Sequence, residues 1–185
     1  MISEGTSAAI VRGIDRLNER VGRVISWLSL FLVLTTFSVA VLRYGFELGW
    51  IWLQEIYVWM HGTIIMVAAA YTLLHDGHVR VDIFYRSASV RVKAWVDLIG
   101  TVVLLIPMLC VIARVSWPYV ALSWSRLEES PEAGGMYGLY LFKSTILVFC
   151  ALMALQAIAC VGRNAFILMD RSAPDIAPDR SQGAV

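Results

Sequence analysis

The sequence predicts an all-α membrane protein: four transmembrane helices preceded by an N-terminal amphipathic helix, with both termini cytoplasmic. Three observations carry this expectation. Hydrophobic residues fill 59% of the 185 positions and charged residues 16%, with a mean hydropathy of +0.71. Soluble domains carry roughly 45–50% apolar and about 25% charged residues. The apolar excess is concentrated: Val24–Leu42, Ile56–Leu74 and Ser144–Gly162 each run 19 residues without Asp, Glu, Lys or Arg, and Leu98–Ala113 runs 16. A helix rising about 1.5 Å per residue crosses the hydrocarbon core in about 20 residues. Lys and Arg are also unevenly placed, eleven in the N-terminal, central and C-terminal segments against four on the opposite side. Basic residues stay on the cytoplasmic face, so both termini are expected there. This composition excludes a soluble enzyme and a nucleic-acid module. Four spans leave little room for two gated repeats in one chain. A net charge of +1 implies no polyanionic partner.

The leader, residues 1–21, places Ile10, Ile14, Leu17, Val21 and Val24 at alternating steps of four and three, with Arg and acidic residues between them. This is the pattern of an amphipathic helix. It rests on the membrane surface or docks on a partner protein. The apolar run that follows is too long for a secretory core and lacks a small-residue cleavage site, so it is read as a retained span.

The transmembrane domain, 22–168, contains spans at about 22–43, 55–75, 92–118 and 142–164. Backbone in lipid must satisfy its own hydrogen bonds, which makes these helices. Arg43 ends the first and Glu55 opens the second, so an ion pair is expected to tie that hairpin, with Glu47 as competitor. His61 lies well inside the second span. A b-type haem between helices needs a second histidine at matching depth, so His61 is read as a hydrogen-bonded packing residue. His75, His78 and Asp82 fall at i, i+3 and i+7, a spacing that could hold a metal on one helix. Gly77 between them reads as a helix C-cap, which breaks that face and leaves a polar turn.

In the third span, Pro107 removes a backbone hydrogen bond and predicts a kink. Arg114, one turn before Pro118, is expected to snorkel outward. The next loop gathers Glu128, Glu129 and Glu132 beside Pro131, Gly134 and Gly135, which reads as a turn that is either solvated or a docking point. The fourth span carries Lys143 near its start. Gln156, expected near mid-membrane, should face protein, because an amide in lipid is unsatisfied. Ala151, Ala154 and Ala157, with Cys150, offer a small-residue face for close helix packing. Cys110, Cys150 and Cys160 lie in apolar windows and read as small hydrophobes. The tail, 169–185, is rich in Pro, Asp, Ser and Gly and is expected to be disordered. No catalytic, cofactor-binding or metal residue is expected.

The motifs resemble those of the small membrane subunit, DctQ type, of tripartite ATP-independent periplasmic (TRAP) transporters. A span opening near Trp52 and Glu55 is followed by the turn Gly77-His78-Val79, Val81 and Asp82 within the stretch Ala68–Arg86. Arg43 fits the arginine after the first span. Glu129, Ser130, Gly134, Gly135, Lys143, Leu152, Leu155 and Gln156 match a second pattern, with Leu139 standing where many members have a proline-rich turn. The resemblance covers about residues 20–168.

It implies a sodium-gradient-driven importer of carboxylates in the bacterial inner membrane. The partners are a large multi-span subunit, a periplasmic solute-binding protein docking on the outer face, and membrane lipid. The small subunit acts as scaffold and carries no substrate site or cofactor. Arg43, Glu55, His78, Asp82, Glu129, Lys143 and Gln156 are then structural or subunit-interface candidates. Two other classes, a redox-complex anchor and a small homodimeric exporter, would want a second mid-membrane histidine or a deep acidic residue, and the spans offer neither.

Overall fold

A computed structural model describes residues 4–79, 85 and 87–169. Its helices are α1 (Glu4–Gly45), α2 (Ile51–Leu74), α3 (Val90–Ile99), a π-helical segment (Gly100–Leu105), α4 (Ile106–Ser125) and α5 (Leu139–Leu168). No strand occurs among the described residues. Four stretches are long and apolar enough to cross a membrane: Ser7–Gly45, Ile51–Leu74, Val90–Ser125 and Leu139–Leu168. The expected Asp82 turn and the tail beyond Met169 lie outside the described residues.

Helix α5 is the hub. It touches α1, α2, α3 and α4, while α1 also lies along α2. The core joins Ala70 of α2, Leu109 of α4 and Met153 of α5, with Leu105, Phe149 and Ala154 packed against it. Two glycines set the approach of neighbouring helices. A Cβ at Gly22 would collide with the Tyr71 ring, and one at Gly62 with Phe142. Phe142 in turn stacks on Trp59 with ring centroids 5.5 Å apart.

The leader and first span form one uninterrupted helix of 42 residues. At about 1.5 Å per residue this is ~63 Å long, well beyond one bilayer core. The face that packs is not the apolar stripe. Val11, Asp15 and Asn18 are buried, whereas Leu17 is 44% and Val24 72% exposed. The register is set by polar side chains on α5, described below, and no proline breaks α1 between leader and span. Farther along, Trp27, Phe31, Leu34 and Phe37 stay exposed, a surface suited to apolar surroundings.

Helix α2 ends in a Schellman arrangement. Gly77 N–H bonds to Thr72 O at 2.8 Å and Asp76 N–H to Leu73 O at 3.3 Å. The left-handed residue is Asp76, φ 55°, rather than the glycine the sequence suggested. Aspartate tolerates that conformation because its short polar side chain can bond locally.

Pro107 perturbs the third span through a widened turn. Ile106 N–H reaches back to Thr101 O, closing the π-helical segment just ahead of the proline. A π-turn shifts the backbone partners by one residue and so accommodates the missing donor. Pro118, expected to mark the end of the span, lies inside α4, which continues to Ser125.

Candidate functional site

Two polar clusters occupy opposite ends of the helices. At the hairpin end, the loop 126–138 folds over the start of α2. Glu55 accepts hydrogen bonds from the Ser130 hydroxyl and, at 2.5 Å, from the Met136 backbone N–H. The loop closes on itself through Ser130 N–H to Met136 O at 3.0 Å and Glu132 N–H to the Ser130 hydroxyl at 3.2 Å. Gly135 sits so tightly between Ser130 and Glu55 that a Cβ has no room, and Gly134 and Gly138 take positive φ of 78° and 92°. Glycine adopts such angles without steric cost. A second clasp lies alongside. Lys143 donates to Glu128 at 2.5 Å and sits 4.1 Å from the centroid of the Tyr119 ring. The hydrogen bond from Lys143 holds the Glu128 carboxyl below its ordinary value. Trp124 donates to the Ser144 hydroxyl at 2.8 Å and meets Tyr140 edge-on.

The Arg43–Glu55 ion pair expected from the sequence does not form. Glu55 is engaged by the 126–138 loop, while Arg43 is exposed in the last turn of α1 and forms no ion pair among the described residues. The chain turns away after Gly45, with Leu48 N–H bonding back to Leu42 O. Glu129, beside Ser130, points into the open.

At the terminal end, Asn18 Nδ2 donates to Gln156 Oε1 at 2.6 Å and Gln156 Nε2 donates to Asp15 Oδ1 at 3.1 Å. Arg163 adds donors to Asp15 at 3.3 and 3.5 Å. Asp15 and Gln156 are 2% and 1% exposed. Beside them, Glu19 meets His75, the residue after α2, at 2.7 Å. Asn18 adjoins Glu19, so Gln156 lies level with the end of α2 and not at its middle. The amide does face protein, but its partner is the leader, which therefore packs in the bundle. Sequence reasoning missed Asp15, Asn18 and Arg163. The available signal was the seven-residue spacing from Val11 through Asn18 and from Gln156 to Arg163, two turns on one face of each helix.

The remaining candidates separate. His61 is exposed and has no hydrogen bond among the described residues, contrary to the packing role expected for it. His78 is exposed and reaches Ala69 O at 3.3 Å. No group of His, Cys, Asp or Glu that could hold a metal occurs among the described residues. The three cysteines are free; Cys150 is buried and Cys160 receives the Asn164 amide at 3.3 Å. Ala157 is fully buried and Ala154 packs on the core, while Ala151 faces outward. Most of the small-residue face thus serves contacts within the bundle.

These features define a helical protein with four membrane-spanning-capable helices, whose polar side chains mostly tie its own elements together. Residues 32–166 match the family model for tripartite ATP-independent periplasmic transporters, DctQ component, and the chain belongs to that family. It is therefore an inner-membrane transporter component, the small membrane subunit, and not an enzyme. No curated protein and no solved structure matches the chain.

Proposed function

We propose that this chain is the scaffold subunit of a sodium-gradient-driven carboxylate importer, with both termini in the cytoplasm and the 126–138 loop on the periplasmic side. It packs beside a large transport subunit and helps present the surface on which a solute-binding protein delivers its cargo. It binds no substrate itself. The observation that carries this reading is that the cations of the two inward-facing polar clusters, buried Arg163 and half-buried Lys143, are already engaged by Asp15 and Glu128. A carboxylate entering either site would have to displace a formed pair. The unequal distribution of Lys and Arg supports the orientation.

Reconstitution in liposomes tests the function. The chain alone is expected to take up no carboxylate with or without a sodium gradient. Uptake should require the large subunit, the loaded binding protein and external sodium. Uptake by the chain alone would overturn the scaffold reading. A reporter fused after Leu168 tests orientation and should be active only if it works in the cytoplasm.

A further inference from the structure

Arg114 carries the inference. It lies within α4, eleven residues before the helix ends at Ser125, ~16 Å from the hairpin end at about 1.5 Å per residue. Leu109, five residues earlier, meets Ala70 and Met153 in the core, and Ala70 is four residues from the end of α2. Arg114 is therefore ~13 Å from the other end of that helical layer, near its middle. An arginine stem of about six bonds near 1.5 Å, zigzagging, reaches roughly 7 Å, which falls short of either end. The side chain also starts in the wrong direction for the hairpin end, because helical Cα–Cβ bonds tilt toward the helix N-terminus.

Its direction around the helix is equally clear. The face of α4 turned to α5 bears the buried Leu109, Val120 and Ser123. At about 100° per residue, Arg114 points to the opposite side. Its outward neighbours, Cys110, Val111 and Pro118, are exposed and apolar. Arg114 makes no hydrogen bond or ion pair among the described residues. A permanent charge on an outward helix face at mid-depth is costly in lipid and is characteristically met by a protein group.

We propose that the outward face of α4 around Arg114 is where a membrane helix of the large subunit packs, and that this helix presents a carboxylate to the guanidinium. This rests on the assignment of a large-subunit partner made above. Arginine pairs with carboxylate through two parallel hydrogen bonds, and it stays charged under all conditions met in a membrane. Cys110 and Pro118, one turn to either side, are short, while Trp117, 66% exposed on the flank of the same face, offers apolar surface to a packed helix.

The test co-expresses the chain with its large subunit and measures the large subunit recovered through a tag on this chain. R114L is expected to lower recovery at least tenfold and R114K to retain part of it. The thermal midpoint of the isolated chain in detergent should be unchanged by R114L, because the residue has no partner within the chain. A photo-crosslinking amino acid at position 114 should yield an adduct with the large subunit. Undiminished recovery with R114L, a destabilised isolated R114L chain, or adducts with lipid only would each overturn the proposal. If the unaltered chain recovers no large subunit at all, the partner assignment itself fails.

Discussion

Asn18 and Gln156 are joined by a 2.6 Å hydrogen bond although 138 residues separate them. The bond locks the leader half of α1 against the far half of α5. Its neighbours complete the lock, since Gln156 also donates to Asp15, and Asp15 receives Arg163. Each polar group is removed from solvent, so each depends on the others. The leader is thereby made part of the bundle, although the apolar stripe of its sequence faces outward.

This arrangement makes Asp15 the most sensitive residue at the terminal end. Asp15→Ala strands the Arg163 charge in a buried site, and breaking a buried pair from one side costs about 3–5 kcal/mol. The thermal midpoint in detergent should fall sharply. The double replacement D15A/R163M removes the stranded charge and should recover most of the loss. Equal destabilisation in the single and double variants would mean that Asp15 and Arg163 do not act as a pair.

Glu55 should control the order of the 126–138 loop. Glu55→Ala leaves the Met136 N–H and the Ser130 hydroxyl without their acceptor. The site is half-buried, so a loss of about 1–2 kcal/mol is expected. A glutamate-specific protease should then cut at Glu128, Glu129 or Glu132 roughly tenfold faster, as that free energy implies if cleavage follows local opening. Ser130→Ala removes one of the two bonds and should show a smaller effect. Cleavage unchanged in both variants would show that the clasp does not hold the loop.

The Glu128–Lys143 contact predicts a specific acid response. The hydrogen bond from Lys143 lowers the Glu128 carboxyl below its ordinary 4.5 in the folded chain. A carboxyl lowered on folding contributes stability above its unfolded value, and that contribution is lost as pH falls through the folded value. The contact is therefore fully present at neutral pH and disappears only under acid, below the ordinary carboxylate range. In Lys143→Met the corresponding part of the acid-induced loss should be missing. The Trp124–Tyr140 contact one turn away offers a fluorescence readout. Identical acid profiles in both proteins would remove Glu128 from the account.

The helices were legible in the sequence because uncharged runs of span length have few other solutions. Their ends were less so. Pro118 reads as a stop, yet α4 continues through it to Ser125, which sets Arg114 far deeper than its spacing from that proline suggests. Glu55, Ser130 and Gly135 were each visible as motif residues, but local spacing cannot show that a loop 75 residues away covers the start of α2. The same holds for Asp15, which reads as one more charge on a solvated helix face. Its partner Arg163 reads as one more basic residue beyond a span. The seven-residue spacings within α1 and α5 put these polar groups on one face of each helix, but spacing within a helix does not say which distant face it meets.

The alanines of α5 give the last prediction, because the sequence groups them and the fold divides them. Ala157 is fully buried, Ala154 packs on the core around Met153, and Ala151 faces outward. A phenylalanine at 157 has no space, and its neighbour Gln156 is fixed by Asn18 and Asp15. Overpacking of this kind costs about 1–3 kcal/mol, with the upper end expected where a polar network is also displaced. Ala157→Phe should therefore destabilise the isolated chain, measured by thermal unfolding in detergent, while membrane insertion persists because the span remains apolar. Ala154→Phe should act in the same direction but more weakly, since that position is only partly buried. Ala151→Phe should leave the isolated chain unaffected. If it lowers recovery of the large subunit without changing the midpoint, Ala151 belongs to the contact surface. If all three replacements destabilise the isolated chain equally, the division of this face between inside and outside is wrong.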